Sequence, residues 1–547
     1  MPKTIQALIK PRSLFLTLGG AALLIIGGGV AFWALQHQQG QKSLQTGAAL
    51  IPQDVSMSLT LSTDPDAWKQ LAQFGTADSQ KSWLKTLADL ENTVLKANGL
   101  TYAQHIRPWV GDRVTMALMP PTIQSVEKVA QEATIWVLPM RNQDQAEKLL
   151  INQLATPAYQ AQKRTYQGIN IQEFQTKDQR TYGIAILDQQ FLVFTTAGAP
   201  IEKVIDAFQK KASIANLPRY PLAMQQIQSS ESIAQVYVNL PRATTRLNTV
   251  ANRQFAQDTL AQIQMTQGLG ATVSLDSDGV NIKAISWLDP KAQRKLIPQN
   301  RGGDILKHLP ADTLMVASGG NFKQFWKDYA DGAPSKLVLP LNPQQWNDTV
   351  KKSVGMDFNT DFVSWMGSEY ATALVPAGEK QNNQVGLVLI AKAEDRAAAT
   401  LALQRLDNAV RDRLNFQVAE SQVDKKTFIT WKVPPGLPIA SHGWLTKDIA
   451  FMTLGAPITN RLVTPETNLL ASKPFQTATQ SQLSPNNGHF FVDMPRTLNF
   501  VQNSPLLPKL SSSALQFAQG IDAIGVTAAV STEWSSRYDI HVKLKQN

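Results

Sequence analysis

The chain states its plan twice, so any fold proposed for it must be one that can be built twice over. Ile51-Pro52-Gln53-Asp54 returns as Leu309-Pro310-Ala311-Asp312, and Trp68-Lys69 returns as Trp326-Lys327, both 258 positions later. Gly99 and Tyr102 are answered by Gly355 and Phe358. Trp109-Val110-Gly111 and Ala117-Leu118-Met119-Pro120 are answered 256 positions on by Trp365-Met366-Gly367 and Ala373-Leu374-Val375-Pro376. Asp144 and Ala146 match Asp395 and Ala397. Phe194 and Gly198-Ala199-Pro200-Ile201 match Phe451 and Gly455-Ala456-Pro457-Ile458 at offset 257. Tyr237-Val238-Asn239-Leu240-Pro241-Arg242 matches Phe491-Val492-Asp493-Met494-Pro495-Arg496 at offset 254, and Gly270 and Thr272 match Gly525 and Thr527. The offset drifts by a few residues while the order never changes, which chance matches would not do.

Each copy carries the same mixed series of elements. In the first, Val55 to Ser62 alternates as a strand, and Asp64-Pro65 caps and opens a helix. Ser82 to Asn98 has helical spacing, and Gln143 to Leu154 is a further helix. Val114 to Met119 and Thr134 to Met140 are strands, the second apolar enough to be buried on both faces. Ile169 to Phe174 and Tyr182 to Thr196 form a hairpin bending at Asp188-Gln189, and Pro200 opens a helix to Lys210. Ile233 to Leu240 and Gly270 to Trp287 supply the last strands, turned at Asp278-Gly279 by a type I′ signal. Strands that come in adjacent pairs predict an antiparallel or mixed sheet with helices on one face, an α+β layer.

Before the first copy, Leu14 to Leu35 is a 22-residue apolar stretch, about 33 Å long as a helix, preceded by Lys3, Lys10 and Arg12. Its length and the aromatic Phe32-Trp33 favour an uncleaved transmembrane anchor over a signal peptide, with the N-terminus cytoplasmic. The expected organisation is a basic tail over 1–12, an anchor over 13–35 and a linker over 36–48. The first repeat then covers 49–290, a second linker 291–303 and the second repeat 304–547. This is α+β: an N-terminal transmembrane helix followed by two homologous antiparallel or mixed-sheet domains.

Composition narrows the chemistry. There is no cysteine, which excludes disulfides, thiolate zinc sites and thiol nucleophiles. The net charge of +10 is spread along the chain without the basic and aromatic patch that nucleic acid requires, so no nucleic-acid partner is expected. His37, His105, His308, His442, His489 and His541 fall outside metal-ligand spacing and read as ordinary residues. Ser82-Trp83-Leu84-Lys85 lacks the companion elements of a penicillin-interactive site. Asp276-Ser277-Asp278-Gly279 opens like a calcium loop, but Trp287 stands where the closing Glu belongs. Ser318-Gly319-Gly320-Asn321 reads as a helix cap rather than a phosphate loop. Trp68, Trp326, Trp109 and Trp365 read as core rather than pocket lining. No catalytic residue, cofactor or metal ligand is expected.

The copies differ most at Trp431-Lys432-Val433-Pro434-Pro435-Gly436-Leu437-Pro438-Ile439, where the first copy has the polar Gln175-Thr176-Lys177-Asp178-Gln179-Arg180. A proline-rich loop keeps its apolar groups at the surface, which makes Trp431, Pro434, Pro435 and Leu437 candidates for a partner or membrane contact.

Ala49-Leu50-Ile51-Pro52, Leu61-Ser62-Thr63-Asp64-Pro65 with Trp68, and Pro108-Trp109-Val110-Gly111-Asp112 together resemble a largely cyanobacterial family of membrane-anchored proteins catalogued as a domain of unknown function. The resemblance covers nearly the whole chain and implies a photosynthetic bacterial host with the bulk of the protein in periplasm or thylakoid lumen. It carries no catalytic residues. The function expected is non-enzymatic: a membrane-anchored binding or scaffold protein, held in the lipid bilayer by its N-terminal helix and acting on a membrane or envelope protein. The alternatives are a carrier or sensor of a small apolar ligand and, third, an enzyme of unrecognised class.

Overall fold

The structure, a computed structural model, describes residues 47–77, 80–81, 101–120, 133–151, 160–175, 181–196, 201–244, 265–298, 302–330, 343–378, 384–503 and 510–546. They fall into two compact units, one closing at Lys295 and the other spanning Leu296–Lys545.

The first unit is built on β1 (Met57–Ser62), β2 (Arg113–Leu118), β3 (Thr134–Pro139), β4 (Gln160–Tyr166), β5 (Ile169–Gln175), β6 (Thr181–Leu187), β7 (Phe191–Thr195), β8 (Ser232–Asn239), β9 (Thr266–Leu275) and β10 (Gly279–Leu288). Their order across the sheet is β10-β9-β8-β1-β2-β3-β7-β6-β5-β4, every neighbour antiparallel. The second unit has β11 (Met315–Gly319), β12 (Tyr370–Pro376), β13 (Val385–Lys392), β14 (Gln417–Val423), β15 (Lys426–Val433), β16 (Leu437–Trp444), β17 (Ile449–Gly455), β18 (Gly488–Asp493), β19 (Ile521–Thr532) and β20 (Ser535–Leu544). Its order, β20-β19-β18-β11-β12-β13-β17-β16-β15-β14, is the first unit's order strand for strand, again wholly antiparallel.

The likeness reaches single hydrogen bonds. Ile214 N donates to Ile51 O at 2.8 Å, and Leu469 N donates to Leu309 O at 2.8 Å. Pro52 bridges Ser213 as Pro310 bridges Asn468. Trp109 Nε1 donates to the carbonyl of His105, four residues back, and Trp365 Nε1 to that of Asp361. Lys203 pairs with Asp54, and Arg461 with Asp312. All four repeated tryptophans are buried.

Several expectations are corrected. Of the two sheet types expected, the described ladders within each unit are antiparallel. Helices cover both sheet faces instead of one. Trp68, on the helix Pro65–Ala72, packs on Leu59, Leu61 and Met116, while Tyr220, which opens Tyr220–Gln226, packs on Tyr237 from the opposite face. β3 is sealed on one side by Ile135 and Val137 but half-exposed at Trp136 and Leu138. β4 is an additional strand whose Gln160 to Arg164 are mostly polar, and β5 pairs with it through a two-residue turn at Gln167-Gly168. Both turn residues have positive φ, the geometry of a type I′ hairpin. The type I′ turn expected at Asp278-Gly279 is instead held by Asp276 Oδ1, which accepts from Asp278 N and Gly279 N, with no positive φ at either residue.

Two matches between the copies shift. The helix after β3 is capped by Asn142 and its counterpart by Asp395, so Asn142 rather than Asp144 answers Asp395. Ladder pairs run Ala117–Ile135–Thr195 in one unit and Ala373–Val388–Thr453 in the other, which places Phe194 opposite Met452 rather than Phe451. The predicted helix over Ser82 to Asn98 lies outside the described residues.

So does the expected transmembrane helix over 13–35. Among the described residues no helix is long and apolar enough to cross a membrane. The longest, Arg396–Leu414, has 19 residues but carries Arg396, Arg405, Asp407, Arg411, Asp412 and Arg413, and lays its Ala399, Ala402, Leu406 and Val410 side against the sheet. The single-pass membrane topology, with the bulk in periplasm or thylakoid lumen, is corrected on that finding.

Candidate functional site

Strand alternation sends Ser58 and Thr60 of β1 to one face of the first unit's sheet, away from Leu59 and Leu61. The ladders put Tyr237 opposite Ser58, and Gln235 and Thr115 on either side of Thr60. Five polar side chains from three adjacent strands therefore share one patch. All five are buried. Ala48 of the turn Gly47–Leu50, Ile214 and Tyr220 lie over the patch and leave no space among these groups wide enough for a water molecule.

The patch is short of partners. Thr60 Oγ1 and Thr115 Oγ1 satisfy each other at 2.8 Å. Gln235 Oε1 has no hydrogen-bond partner, although the residue is only 6% exposed. The Tyr237 phenol is likewise unpartnered, since Asn239 approaches it without closing a hydrogen bond. Ser56 Oγ, just before β1, is a third such atom. Each buried unmade hydrogen bond costs about 1–3 kcal/mol. Burial pushes both tyrosine phenols well up, so they stay neutral and available as donors. The two rings meet edge to face at 5.0 Å and 85°.

The second unit shows what this face looks like as ordinary core. Where the first unit has Ser58 opposite Tyr237, the second has Val316 opposite Phe491. Thr115 is replaced by Ala371, Ser56 by Leu314 and Tyr220 by Phe475. Val316, Ala371, Phe475 and Phe491 all belong to one apolar core cluster, with Phe475 and Phe491 edge to face at 5.3 Å. The polar groups that remain are partnered. Ser318 Oγ accepts from His489 N at 3.0 Å, and the His489 ring bonds Thr527 Oγ1 at 3.0 Å. The same backbone thus carries an apolar core in one unit and a polar, under-bonded patch in the other.

The residues proposed from sequence are not brought together as a surface. Trp431 lies within β15, 7% exposed, and its Nε1 donates to Asp407 Oδ1 at 2.7 Å. His442 Nε2 meets the same oxygen at 2.8 Å. Trp431 is core and cannot be a partner contact. Only Pro434, Pro435 and Leu437 are at the surface, where 434–436 turns β15 into β16. Most of the expected loop is strand, because Lys432 pairs with Pro438 and Val433 with Leu437. The patch around Gln235 was missed because Ser58, Thr60 and Thr115 look like ordinary strand residues. The available signal was the Tyr237/Phe491 match itself, read for its difference.

Residues 17–544 match a family described as "Protein of unknown function (DUF3352)". No curated protein matches the chain. Among solved structures, crystal form III of TP0453 is similar over 45% of this chain and 80% of its own, at 8% identity and a TM-score of 0.25. Crystal form I of the same protein is similar over 45% and 79%, at 9% identity and a TM-score of 0.24. That likeness is too slight to bear on fold or function.

Proposed function

The chain belongs to the DUF3352 family, whose description assigns no activity, and from the site alone we propose that it is a binding protein that takes a small polar molecule into its first unit. The observation that carries this reading is the contrast on one sheet face: Gln235 Oε1 and the Tyr237 hydroxyl stand without hydrogen bonds beside Ser58, where the matched unit packs Val316 against Phe491 and bonds His489 to Thr527. A polar patch that costs stability is retained where it meets a ligand. The carrier reading made from sequence is kept in kind and changed in chemistry, from an apolar ligand to a hydrogen-bonding one. The photosynthetic host implied by the resemblance plays no part in it.

The test is a thermal-shift screen of small polar metabolites on the wild-type protein and on a Ser58→Val, Tyr237→Phe variant. Compounds that raise Tm in the wild type and not in the variant support the reading. A screen in which no compound separates the two proteins contradicts it.

The scaffold reading keeps Pro434, Pro435 and Leu437 as its contact. Leu437 is 60% exposed at the end of a stiff two-proline turn, which supports docking of a partner protein there. Co-purification with a variant carrying Ser at all three positions tests it: an unchanged set of partners removes the turn from consideration.

A further inference from the structure

The strand order of each unit ends on an open edge, β4 in the first and β14 in the second. Among the described residues each is paired on one side alone, β4 with β5 and β14 with β15. Both pairs close through two-residue turns, Gln167-Gly168 and Asp424-Lys425, whose residues all have positive φ, the type I′ geometry. That turn fixes the direction of every backbone group beyond it. The residues flanking it exchange both hydrogen bonds with each other, and bonded pairs then alternate along the ladder. Gln160, Gln162, Arg164 and Tyr166 therefore turn their N–H and C=O groups to β5, while Ala161, Lys163 and Thr165 turn theirs away from it. In β14, Gln417, Ala419, Ser421 and Val423 bond β15, while Val418, Glu420 and Gln422 turn outward. Each edge thus offers the donors and acceptors of three residues to a further strand. Neither strand contains a proline, and neither ladder has the bulge that ordinarily blocks such addition.

Charge selects what can be added. The central outward residue is Lys163 on β4 and Glu420 on β14, both with exposed side chains. Arg164 is engaged by Glu173 and Glu202, whereas neither Lys163 nor Glu420 joins an ion pair among the described residues. Two β4 edges laid together antiparallel at full overlap set Lys163 against Lys163, and two β14 edges set Glu420 against Glu420. Like charges directly opposite weaken a ladder. A β4 edge on a β14 edge instead sets Lys163 opposite Glu420, Thr165 opposite Val418 and Ala161 opposite Gln422. The register that pairs the opposite charges is also the one that pairs every outward backbone group.

We propose that the β4 edge of one copy of this chain docks antiparallel on the β14 edge of a second copy, in the register that sets Lys163 opposite Glu420. Each copy carries one edge of each kind, so the contact is heterologous and joins copies head to tail. It involves none of the residues of the polar patch.

Sedimentation velocity of the full chain over a range of protein concentrations tests the contact on the wild type, Lys163→Glu, Glu420→Lys, the double variant and Glu420→Pro. Proline at position 420 removes an outward N–H and none of the bonds to β15. Cooperative unfolding confirms that each variant is folded. The wild type is expected to form larger species as its concentration rises, and each single variant to need about tenfold more protein to do so. The double variant restores opposite charges and should associate as the wild type does. An equimolar mixture of Lys163→Glu and Glu420→Lys should also associate, because one carries carboxylates on both edges and the other carries amines on both. A wild type that stays monomeric at every concentration overturns the proposal. Association unchanged in the single variants, or restored by neither the double variant nor the mixture, overturns it equally.

Discussion

At the scale of single residues, the units differ in where they bury their polar groups. Asp407 is the second unit's most committed one: its Oδ1 receives both Trp431 Nε1 and His442 Nε2 in a buried setting. Removing it leaves two buried donors without an acceptor. Asp407→Ala should destabilise the protein by about 3 kcal/mol, read as a lower urea midpoint at unchanged slope. A loss under 1 kcal/mol would mean that water reaches these groups. His489, which stands where the first unit has Gln235, makes a second claim. Burial pushes its imidazole down to about 4. The unfolded chain, with a histidine near 6.5, then binds the proton first, so stability falls as the pH drops from about 6.5 to about 4. The group contributes up to about 3 kcal/mol above that window, and none of it remains below. His489→Gln should flatten the slope of stability between those pH values. Identical slopes for the two proteins would show that His489 titrates as it does in the unfolded chain.

Elements were legible to different degrees, for physical reasons. Strands with alternating or apolar sequence, such as β1, β2, β8 and β9, could be read because burial on at least one face imposes a period of two. β4 and its partner in the second unit, β14, could not. β14 is Gln417-Val418-Ala419-Glu420-Ser421-Gln422-Val423 with no sealed position, an edge strand whose composition answers to solvent. Edge location is a tertiary fact that the local sequence does not carry. The Phe194/Phe451 match failed because side-chain type was aligned while the ladder aligns faces, and in a strand one residue of slip exchanges the faces. Trp431 misled for a related reason. A tryptophan beside prolines suggests a loop, yet the helix Arg396–Leu414 presents Asp407 to its indole and draws it inside. The surface part of that stretch is small. Replacing Pro434, Pro435 and Leu437 with Ser should shift the unfolding free energy by no more than about 0.5 kcal/mol, because these side chains are exposed. A loss above 1 kcal/mol, measured by urea denaturation, would show that the turn helps hold β15 to β16.

For the whole molecule, the double plan visible in the sequence has a structural counterpart: among the described residues each unit has ten antiparallel strands in one strand order, with matched bridges, caps and ion pairs. What one sequence could not convey is which differences between the units carry meaning, since a Tyr for a Phe is a small change until the space around it is known. The account turns on the claim that the first unit keeps its polar patch against its own stability. Urea denaturation of the Ser58→Val, Tyr237→Phe variant tests this most directly, because the change installs the second unit's cross-strand pair on the same backbone. The account predicts a variant more stable than the wild type by about 1–3 kcal/mol, since the buried Tyr237 hydroxyl with its unmade hydrogen bond is removed. A variant less stable than the wild type would contradict it, showing that Ser58 and Tyr237 are well-bonded members of an ordinary core.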